Sequence, residues 1–385
     1  MPLRIVLSLV VGVSALLASA QAADRPVQKA KPGPKAEEFY RLDGELKTLV
    51  AGLANLQIKY RKATEDQQAD IQKQWKDLVA KAEKLQPKVI DAAEKAYAEA
   101  PNADKRITDF LVVEQLVRMV RRDDYEPAAR IGKLLMENKC DDPRVPFFAG
   151  VATFAVSDYG PAERYLKRAV ELGQKQSTGS EFLDSLLGIF LRNPTAFKQA
   201  WAKEQEIRHK EAKADNLPRV LLKTSKGNIE LELFEDQAPN TVANFISLVE
   251  SGYYKDVKFH RVLPGFMIQG GDPQGTGQGG PGYTIADECH RADFRRHFRG
   301  VLSMAKTAQP DSGGSQFFLT FVPTVHLDGQ HTVFGRVVSG MEVLAKIQRF
   351  DPEKDANSGI RQDSILEAKV LRKRPHQYKP EKMPE

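Results

Sequence analysis

The chain contains little cysteine, no concentrated basic charge and, after its first twenty residues, no long hydrophobic run. Its 385 residues include only two cysteines, Cys140 and Cys289, which excludes a disulfide-rich scaffold and a cysteine-rich zinc protein. The 57 lysine and arginine residues against 51 aspartate and glutamate residues give a net charge of +6 that is spread thinly along the chain, so we expect no nucleic-acid partner. No later segment approaches the roughly 20 apolar residues that a membrane span requires.

The first 22 residues have the three-part pattern of a secretory signal peptide. Arg4 precedes an apolar run over residues 5–17, and Ala20-Gln21-Ala22 is a small-x-small cleavage site. No cysteine follows that site, which excludes a bacterial lipoprotein anchor. We therefore expect an exported protein, periplasmic or secreted, with no stable membrane insertion after cleavage and with a flexible tether over residues 23–35.

Residues 36–214 have the periodicity of amphipathic helices. Apolar residues recur at steps of three and four from Phe39 to Tyr60 and again from Ile71 to Leu85. This pattern predicts an antiparallel helical hairpin whose helices are broken near Thr64 and Pro87.

A short internal repeat follows the predicted hairpin. The segment Asp124-Tyr125-Glu126-Pro127-Ala128-Ala129-Arg130 recurs 34 residues later as Asp158-Tyr159-Gly160-Pro161-Ala162-Glu163-Arg164. A displacement of 34 residues is the period of the tetratricopeptide (TPR) repeat, and residues 104–200 resemble degenerate TPR units. Such a region can be a surface for protein partners or a helical spacer, and both interpretations stay open.

The character of the chain changes near Asn216-Leu217-Pro218. Residues 220–222 and 229–233 are predicted strands joined by a turn, residues 243–249 a short helix, and the remainder alternates short β-type runs with glycine-rich loops. Together these features predict an α+β multidomain protein, with an all-α N-terminal region followed by a closed antiparallel β-barrel.

Four separated motif blocks carry the most specific information. They are residues 259–272, 300–305, 314–318 and 327–335, beginning with Phe259-His260-Arg261-Val262 and ending with Thr332-Val333-Phe334-Gly335. In this order they resemble the cyclophilin family of peptidyl-prolyl cis-trans isomerases over residues 219–373. The resemblance implies an eight-stranded barrel with capping helices, and we expect residues 374–385 to form a disordered tail.

Rotation about an X–Pro bond needs neither a nucleophile nor a metal. The barrier of about 18–20 kcal/mol arises because the amide nitrogen lone pair is delocalised into the carbonyl. A catalyst needs an apolar slot for the proline ring and a fixed donor for the lone pair that the twist localises. Arg261 suits the donor role because its guanidinium stays charged and presents a rigid fork of donors. Alternation along a strand predicts that Arg261, Leu263, Met267 and Gln269 line one surface.

The resemblance assigns a role to each matching position. Arg261 corresponds to the catalytic arginine, and His260 is expected in the wall of the active site. The positions that correspond to the proline pocket are Phe266, Met267, Phe318 and Leu327, with His331 beside it. Hydrogen bonds to the substrate backbone are expected from Gln269 and Gln316. The other expected substrate-binding residues are Ala305, Lys306 and Ala308 along the groove, and His326. The resemblance implies no cofactor and no metal.

Two positions depart from the eukaryotic pattern of the family. His326 stands where eukaryotic members commonly have a tryptophan, a change that bears on cyclosporin sensitivity and leaves isomerase activity possible. The stretch from Ala305 to Gln316 carries a bacterial-style extra residue. Together with the lack of an N-x-S/T acceptor, this favours a bacterial periplasm among the exported locations.

Three local patterns suggest other chemistry. The glycine-rich segment 275–280 fits G-x-G-x-x-G, but its flanking prolines favour a loop over a dinucleotide-binding unit. The segment 311–314 is similar to a serine-protease nucleophile loop, yet a single barrel leaves no place for the remaining catalytic groups. Glu288, Cys289, His290 and His297 could be imagined as a metal site, although their spacing is unusual for structural zinc. Export also permits a Cys140–Cys289 disulfide.

The sequence therefore predicts an exported isomerase that acts on X–Pro bonds of proline-containing protein substrates and assists their folding. The alternative hypothesis is a non-catalytic adaptor or chaperone-like protein, in which TPR-like helices capture protein partners and the barrel holds proline segments. An assay of proline isomerisation separates the two hypotheses.

Overall fold

The structure is a computed structural model that describes residues 33–173 and 176–383. The predicted signal peptide and all but the last residues of the predicted tether lie outside the described residues. Within the described ranges, no helix combines the length and the apolar character needed to cross a membrane.

The chain divides into two compact units. The first comprises Met1–Arg118 and Arg130–Val145, and the second comprises Met119–Ala129 and Pro146–Glu385. The helices are α1 Pro34–Tyr60, α2 Glu65–Glu99, α3 Lys105–Asp109, a π-helix Phe110–Val117, α4 Arg118–Val120, α5 Tyr125–Glu137, α6 Val145–Ala155, α7 Tyr159–Glu171, α8 Glu181–Arg192, α9 Pro194–Ala214, α10 Pro239–Glu250, a 3-10 turn Val325–Leu327, α11 Met341–Lys346 and α12 Pro352–Asp355. The second unit therefore combines helices with the whole sheet.

The first unit contains the predicted helical hairpin. Leu53 and Leu56 of α1 bury against Trp75 of α2, and a Cβ at Gly52 would lie 3.1 Å from Leu78 Cδ1. The predicted break near Thr64 is confirmed, because Thr64 caps α2 through a reciprocal capping box with Gln67. The predicted break near Pro87 is wrong. Helix α2 continues through that proline to Glu99, and packing of its buried face outweighs the lost backbone hydrogen bond.

The internal repeat of the sequence is also a repeat of local structure. Asp123 and Ser157, 34 residues apart, both have positive φ, 62° and 64°, two positions before the first residues of the helices α5 and α7. A Cβ at Gly150 would lie 2.6 Å from Leu166 Cγ, so α6 and α7 approach too closely for a larger residue. The predicted helices and their close packing are confirmed, and the assignment to TPR repeats stays a prediction.

The second unit is built around one antiparallel sheet. Its strands are β1 Arg219–Thr224, β2 Gly227–Leu233, β3 Val257–Lys258, β4 Arg261–Leu263, β5 Met267–Gly270, β6 Val301–Met304, β7 Phe317–Thr320, β8 Val333–Ser339 and β9 Ser364–Arg372. Their order is β3-β9-β1-β2-β8-β6-β7-β5-β4. The sheet is a nine-stranded half-barrel, one strand more than the expected eight, and the α+β class is confirmed.

Helix α9 is tied to the sheet through buried charges. The Arg295 guanidinium, 1% exposed, donates 2.6 Å and 3.0 Å hydrogen bonds to Glu204 and also contacts Glu211. Trp201 of the same helix packs on Phe298 with ring centroids 4.9 Å apart. Helix α9, which directly precedes the sheet in sequence, is therefore part of its folded unit.

The chain remains ordered beyond the last strand. The Tyr378 hydroxyl donates 2.7 Å to Glu235, and Met383 forms a bridge with Thr284. The expected disordered tail is therefore wrong for residues 374–383, because a buried tyrosine and backbone hydrogen bonds hold the segment on the sheet. The last two residues lie outside the described part of the chain.

Candidate active site

The strands β4 and β5 form a short hairpin that carries the predicted catalytic residue. Arg261 lies directly opposite Gln269, and Leu263 lies opposite Met267. Cross-strand partners share a face of the sheet, so the predicted surface of these four residues is confirmed. Gly265, in the turn between the strands, has a φ of +67°, a conformation that glycine adopts without strain.

The guanidinium of Arg261 is free to bind a ligand. The side chain is partly exposed, and no hydrogen bond or ion pair joins it to another described residue. By contrast, Arg349 and Arg299 of the same unit are held by Asp123 and Glu126. An unpaired cation beside a groove can turn all of its donors toward a bound amide.

Two glutamine amides continue the surface away from Arg261. Gln269 Nε2 donates 3.0 Å to Gln316 Oε1, and Gln316 Nε2 donates 2.9 Å to the carbonyls of Gly277 and Gly279. The backbone N–H of Ala305 donates 2.9 Å to the Gln316 carbonyl, which places the Ala305 loop beside these amides. Both predicted backbone-binding glutamines therefore lie on one polar strip.

An apolar floor lies beside this strip. Phe318 of β7 is 5% exposed and lies directly opposite Gln269 of β5. Met267, which is also on β5, is buried. The Phe318 ring stacks on His297 with centroids 6.0 Å apart and meets the His331 ring edge-on at 5.6 Å. These side chains offer the apolar surface that a proline ring requires.

The histidines beside this floor are held in their neutral form. Burial lowers the pKa of His331, whose Nδ1 donates 2.9 Å to the Met304 carbonyl. Burial likewise lowers the pKa of His297, which bridges Asp328 and Ser303. The histidine rings of the pocket wall are therefore uncharged at neutral pH, while Arg261 places a charge on the same face of the sheet as Gln269 and Phe318.

The remaining predicted substrate-binding residues lie around this floor in different settings. Phe266 and His326 form part of the rim, with ring centroids 5.8 Å apart, and Leu327 follows in the 3-10 turn. Lys306 is held by Asp287 at 3.1 Å, so its ammonium is occupied. Ala308 is exposed on its loop, and no described contact places it at the pocket.

His260 is buried behind the surface. Only 4% of it is exposed, and a Cβ at Gly277 would lie 3.6 Å from its ring. Burial lowers the pKa of His260. The side chain of His260 is therefore buried beside the strand that begins at Arg261, and its place in the active-site wall stays a prediction.

The glycine-rich loop wraps around an acidic side chain of the protein itself. The fully buried Asp272 carboxylate accepts hydrogen bonds of 2.7–2.9 Å from the backbone N–H groups of Gln274, Thr276 and Gly277. Burial opposes ionisation of Asp272, but these donors outweigh it and lower its pKa. The N–H groups of Gln274, Thr276 and Gly277 thus donate to Asp272 and are not available to a phosphate. This agrees with the prediction of a loop instead of a dinucleotide-binding unit.

The metal site considered from Glu288, Cys289, His290 and His297 is not formed, because these four side chains do not come together. Glu288 accepts from the backbone of Asn240 and Thr241 at the start of α10, while His297 lies in the pocket wall. Asp287, Cys289 and His290 do come within 4.8 Å of one another, with Asp287 already paired to Lys306. Cys140 and Cys289 are both free thiols, so the permitted disulfide is not formed.

Sequence reasoning missed two residues at this site. His297 was considered only as a metal ligand, whereas its ring supports Phe318. Phe182, at the start of α8, packs its ring 4.6 Å from that of Phe266 and 5.0 Å from that of His326. No motif signals Phe182, because its contact depends on how distant segments of the second unit pack.

Comparison with known proteins agrees with this geometry. Residues 219–370 match the family "Cyclophilin type peptidyl-prolyl cis-trans isomerase/CLD". The chain is 53% identical over 133 residues to a peptidyl-prolyl cis-trans isomerase of Helicobacter pylori, over 34% of this chain and 80% of that protein. This chain belongs to the cyclophilin family.

Other cyclophilins match over the same part of the chain. The peptidyl-prolyl cis-trans isomerase-like 2 of Rhizopus delemar is 44% identical over 182 residues, which are 46% of this chain and 33% of the relative. The chain thus spans only a third of that relative. A crystal structure of a cyclophilin-type isomerase from Cryptosporidium parvum, 34% identical, covers 41% of this chain and 99% of its own, with a TM-score of 0.37.

Proposed function

We propose that this protein catalyses cis-trans isomerisation of X–Pro bonds in proline-containing protein substrates and so assists their folding. The observation that carries the proposal is the free guanidinium of Arg261 next to the apolar floor of Met267 and Phe318. Membership of the cyclophilin family supports it independently.

The proposed mechanism follows from these positions. The proline ring binds against Met267, Phe318 and the neutral His331, while Gln269 and Gln316 hydrogen-bond the substrate backbone. As the amide twists, its nitrogen becomes pyramidal and its lone pair, which is no longer delocalised into the carbonyl, accepts a hydrogen bond from Arg261. The nitrogen of the planar amide is a weaker acceptor for this hydrogen bond than that of the twisted amide. The interaction therefore lowers the rotation barrier instead of merely tightening substrate binding.

The experiment is a cis-to-trans assay on a proline tetrapeptide with the full mature chain. The proposal expects a rate well above the uncatalysed isomerisation, and NMR exchange spectroscopy on the same peptide checks the rate without a coupling protease. A rate equal to background with a folded protein would contradict it and favour the non-catalytic adaptor hypothesis.

The adaptor hypothesis retains one supporting observation. Val170, 67% exposed, and Ile189, 43% exposed, place apolar surface on the helices α7 and α8. Capture of the same partners by a chain with Arg261→Ala as by the unaltered chain would show a binding role that is independent of catalysis. The two roles are compatible.

We also propose that the protein is exported, and that it works in a bacterial periplasm. The charged start, the apolar run of residues 5–17 and the Ala20-Gln21-Ala22 site support this proposal. Cell fractionation with N-terminal sequencing of the mature protein tests it, and a mature chain that still begins at Met1 would contradict cleavage after Ala22.

A further inference from the structure

The start of helix α8 is fixed against the turn of the β4–β5 hairpin. A Cβ at Gly265 would lie 2.9 Å from Ser180 Oγ and 3.2 Å from Leu183 Cβ, so the backbone of the turn packs closely on these two side chains. Ser180 Oγ accepts 3.3 Å from the N–H of Leu183, and Asp184 accepts 2.8 Å from Thr178 Oγ1. These bonds fix the position of Phe182, which lies between Ser180 and Asp184 in the chain.

Phe182 completes an aromatic rim, which we define as Phe182, Phe266 and His326. Its ring centroid is 4.6 Å from that of Phe266 and 5.0 Å from that of His326, with interplanar angles of 44° and 60°. All three side chains are at least partly exposed. The helical region thereby contributes a solvent-accessible aromatic surface beside two predicted substrate-binding residues.

Within the described part of the chain, Phe182 meets the predicted proline pocket at Phe266 and makes no ring contact with the pocket floor. The ring neighbours of Phe318 on the pocket floor are His297 and His331. Among the described residues, Phe182 makes ring contacts with Phe266 and His326 and with neither Phe318 nor His331. Phe182 therefore extends the wall of the groove beyond the slot for the proline ring.

We propose that Phe182 is a specificity-determining residue that contacts the substrate side chain adjacent to the proline. The chemistry of the aromatic rim selects substrates with an aromatic or large aliphatic residue at that position. The inference rests on the proposed isomerase function. One aromatic pair predicts a preference of about 3- to 10-fold in kcat/KM over an alanine at the same position.

The test uses the full mature chain and two peptide series, one varying the residue before proline and one varying the residue after it. For the unaltered protein, the phenylalanine-to-alanine ratio of kcat/KM should exceed unity in one series. Phe182→Ala should bring that ratio close to unity, mainly through KM, and Phe182→Leu should retain part of it. Phe147→Ala is the matched control, since Phe147 is also partly buried on a helix but has Phe148 as its ring neighbour.

Each other outcome overturns the inference in a distinguishable way. A rise in kcat/KM for all peptides with Phe182→Ala would identify Phe182 as an inhibitory plug. An equal fall for all peptides, matched by a lower Tm, would make it a structural residue. A ratio unchanged by the substitution would show that the substrate does not reach it.

Two further measurements separate this inference from the proposed function. If the unaltered protein catalyses no isomerisation, the proposed function is wrong, and the ratio of Kd values for the same peptides then tests the Phe182 contact. If Phe182→Ala does not fold, intermolecular nuclear Overhauser effects between the Phe182 ring and the peptide side chain test it in the unaltered protein. Their absence at saturating peptide overturns the inference.

Discussion

The Asp123 carboxylate accepts a 2.7 Å hydrogen bond from the backbone N–H of Gly265, 142 positions further along the chain. The same carboxylate pairs with Arg349 at 2.6 Å and accepts 2.9 Å from the Tyr125 hydroxyl. Asp123 thus fixes the turn that separates Leu263 from Met267. The helical segment therefore helps to hold the residues of the predicted active site.

The internal repeat suggests a substitution that tests the hydrogen bond between Asp123 and Gly265, because the second copy of the repeat has Ser157 where the first has Asp123. Asp123→Ser should keep the turn that precedes α5 but lose the hydrogen bond to Gly265 and the ion pair with Arg349. We expect a loss of about 2–3 kcal/mol in the free energy of unfolding, since a buried N–H and a charged partner lose their acceptor. Urea denaturation measures the loss, and kcat/KM should also fall. Ser157→Ala is the control and should leave kcat/KM unchanged; equal activity of Asp123→Ser would contradict the link to the site.

The buried pair of Arg295 and Glu204 predicts that helix α9 stabilises the sheet. Glu204→Gln should lower the free energy of unfolding by about 1.5–3 kcal/mol, because Arg295 then loses the charge of one of its two carboxylate partners and keeps Glu211. Lys223 and Glu367 form a matched exposed pair, and Glu367→Gln should leave Tm unchanged. Equal Tm values for the two variants in differential scanning calorimetry would contradict this role of α9.

The pair of Arg295 and Glu204 also predicts how the free energy of unfolding changes at acid pH. Burial alone would raise the pKa of Glu204, but the hydrogen bonds and charge of Arg295 and Arg208 lower it overall. A carboxyl whose pKa is lower in the folded state stabilises the fold above its ordinary pKa of 4.5, and this stability is lost as the pH falls through the folded value. Chemical denaturation between pH 7 and pH 3 should therefore show a smaller fall for Glu204→Gln than for the unaltered protein.

The neutral histidines predict the pH profile of activity. His331 has its pKa lowered from an ordinary value of 6.5 by burial, so it is uncharged across neutral pH. We expect kcat/KM to be constant from pH 6.5 to pH 8.5 and to fall only at lower pH, as a charge forms beside the apolar pocket. A fall in kcat/KM toward acid pH that is centred above pH 7, and that disappears in His331→Gln, would show that the pKa of His331 is raised instead.

Much of the fold and the site could be predicted because the informative patterns are local. The alternation of Arg261, Leu263, Met267 and Gln269 is a property of a few successive residues, and the register confirms it. The helical hairpin follows from apolar steps of three and four in the same way. Asp272 also acts locally, since it binds the amides of the loop that follows it.

The features that escaped prediction depend on packing between distant segments. Phe182 and Asp123 reach Phe266 and Gly265 through contacts that no sequence spacing encodes. Helix α2 passes Pro87 because its buried face outweighs a local breaker. The ordered residues 374–383 likewise depend on Glu235, which lies 141 positions before His376 and holds that segment.

The role of Arg261 is tested most directly by one comparison of kcat/KM on a proline tetrapeptide. Arg261→Ala should lower kcat/KM by about 100-fold, the effect of removing one transition-state donor, with little change in Tm because the guanidinium has no described partner. Arg261→Lys should restore only part of the rate, since an ammonium lacks the rigid fork. An Arg261→Ala protein that folds normally and isomerises the peptide at the rate of the unaltered chain would contradict the proposed mechanism.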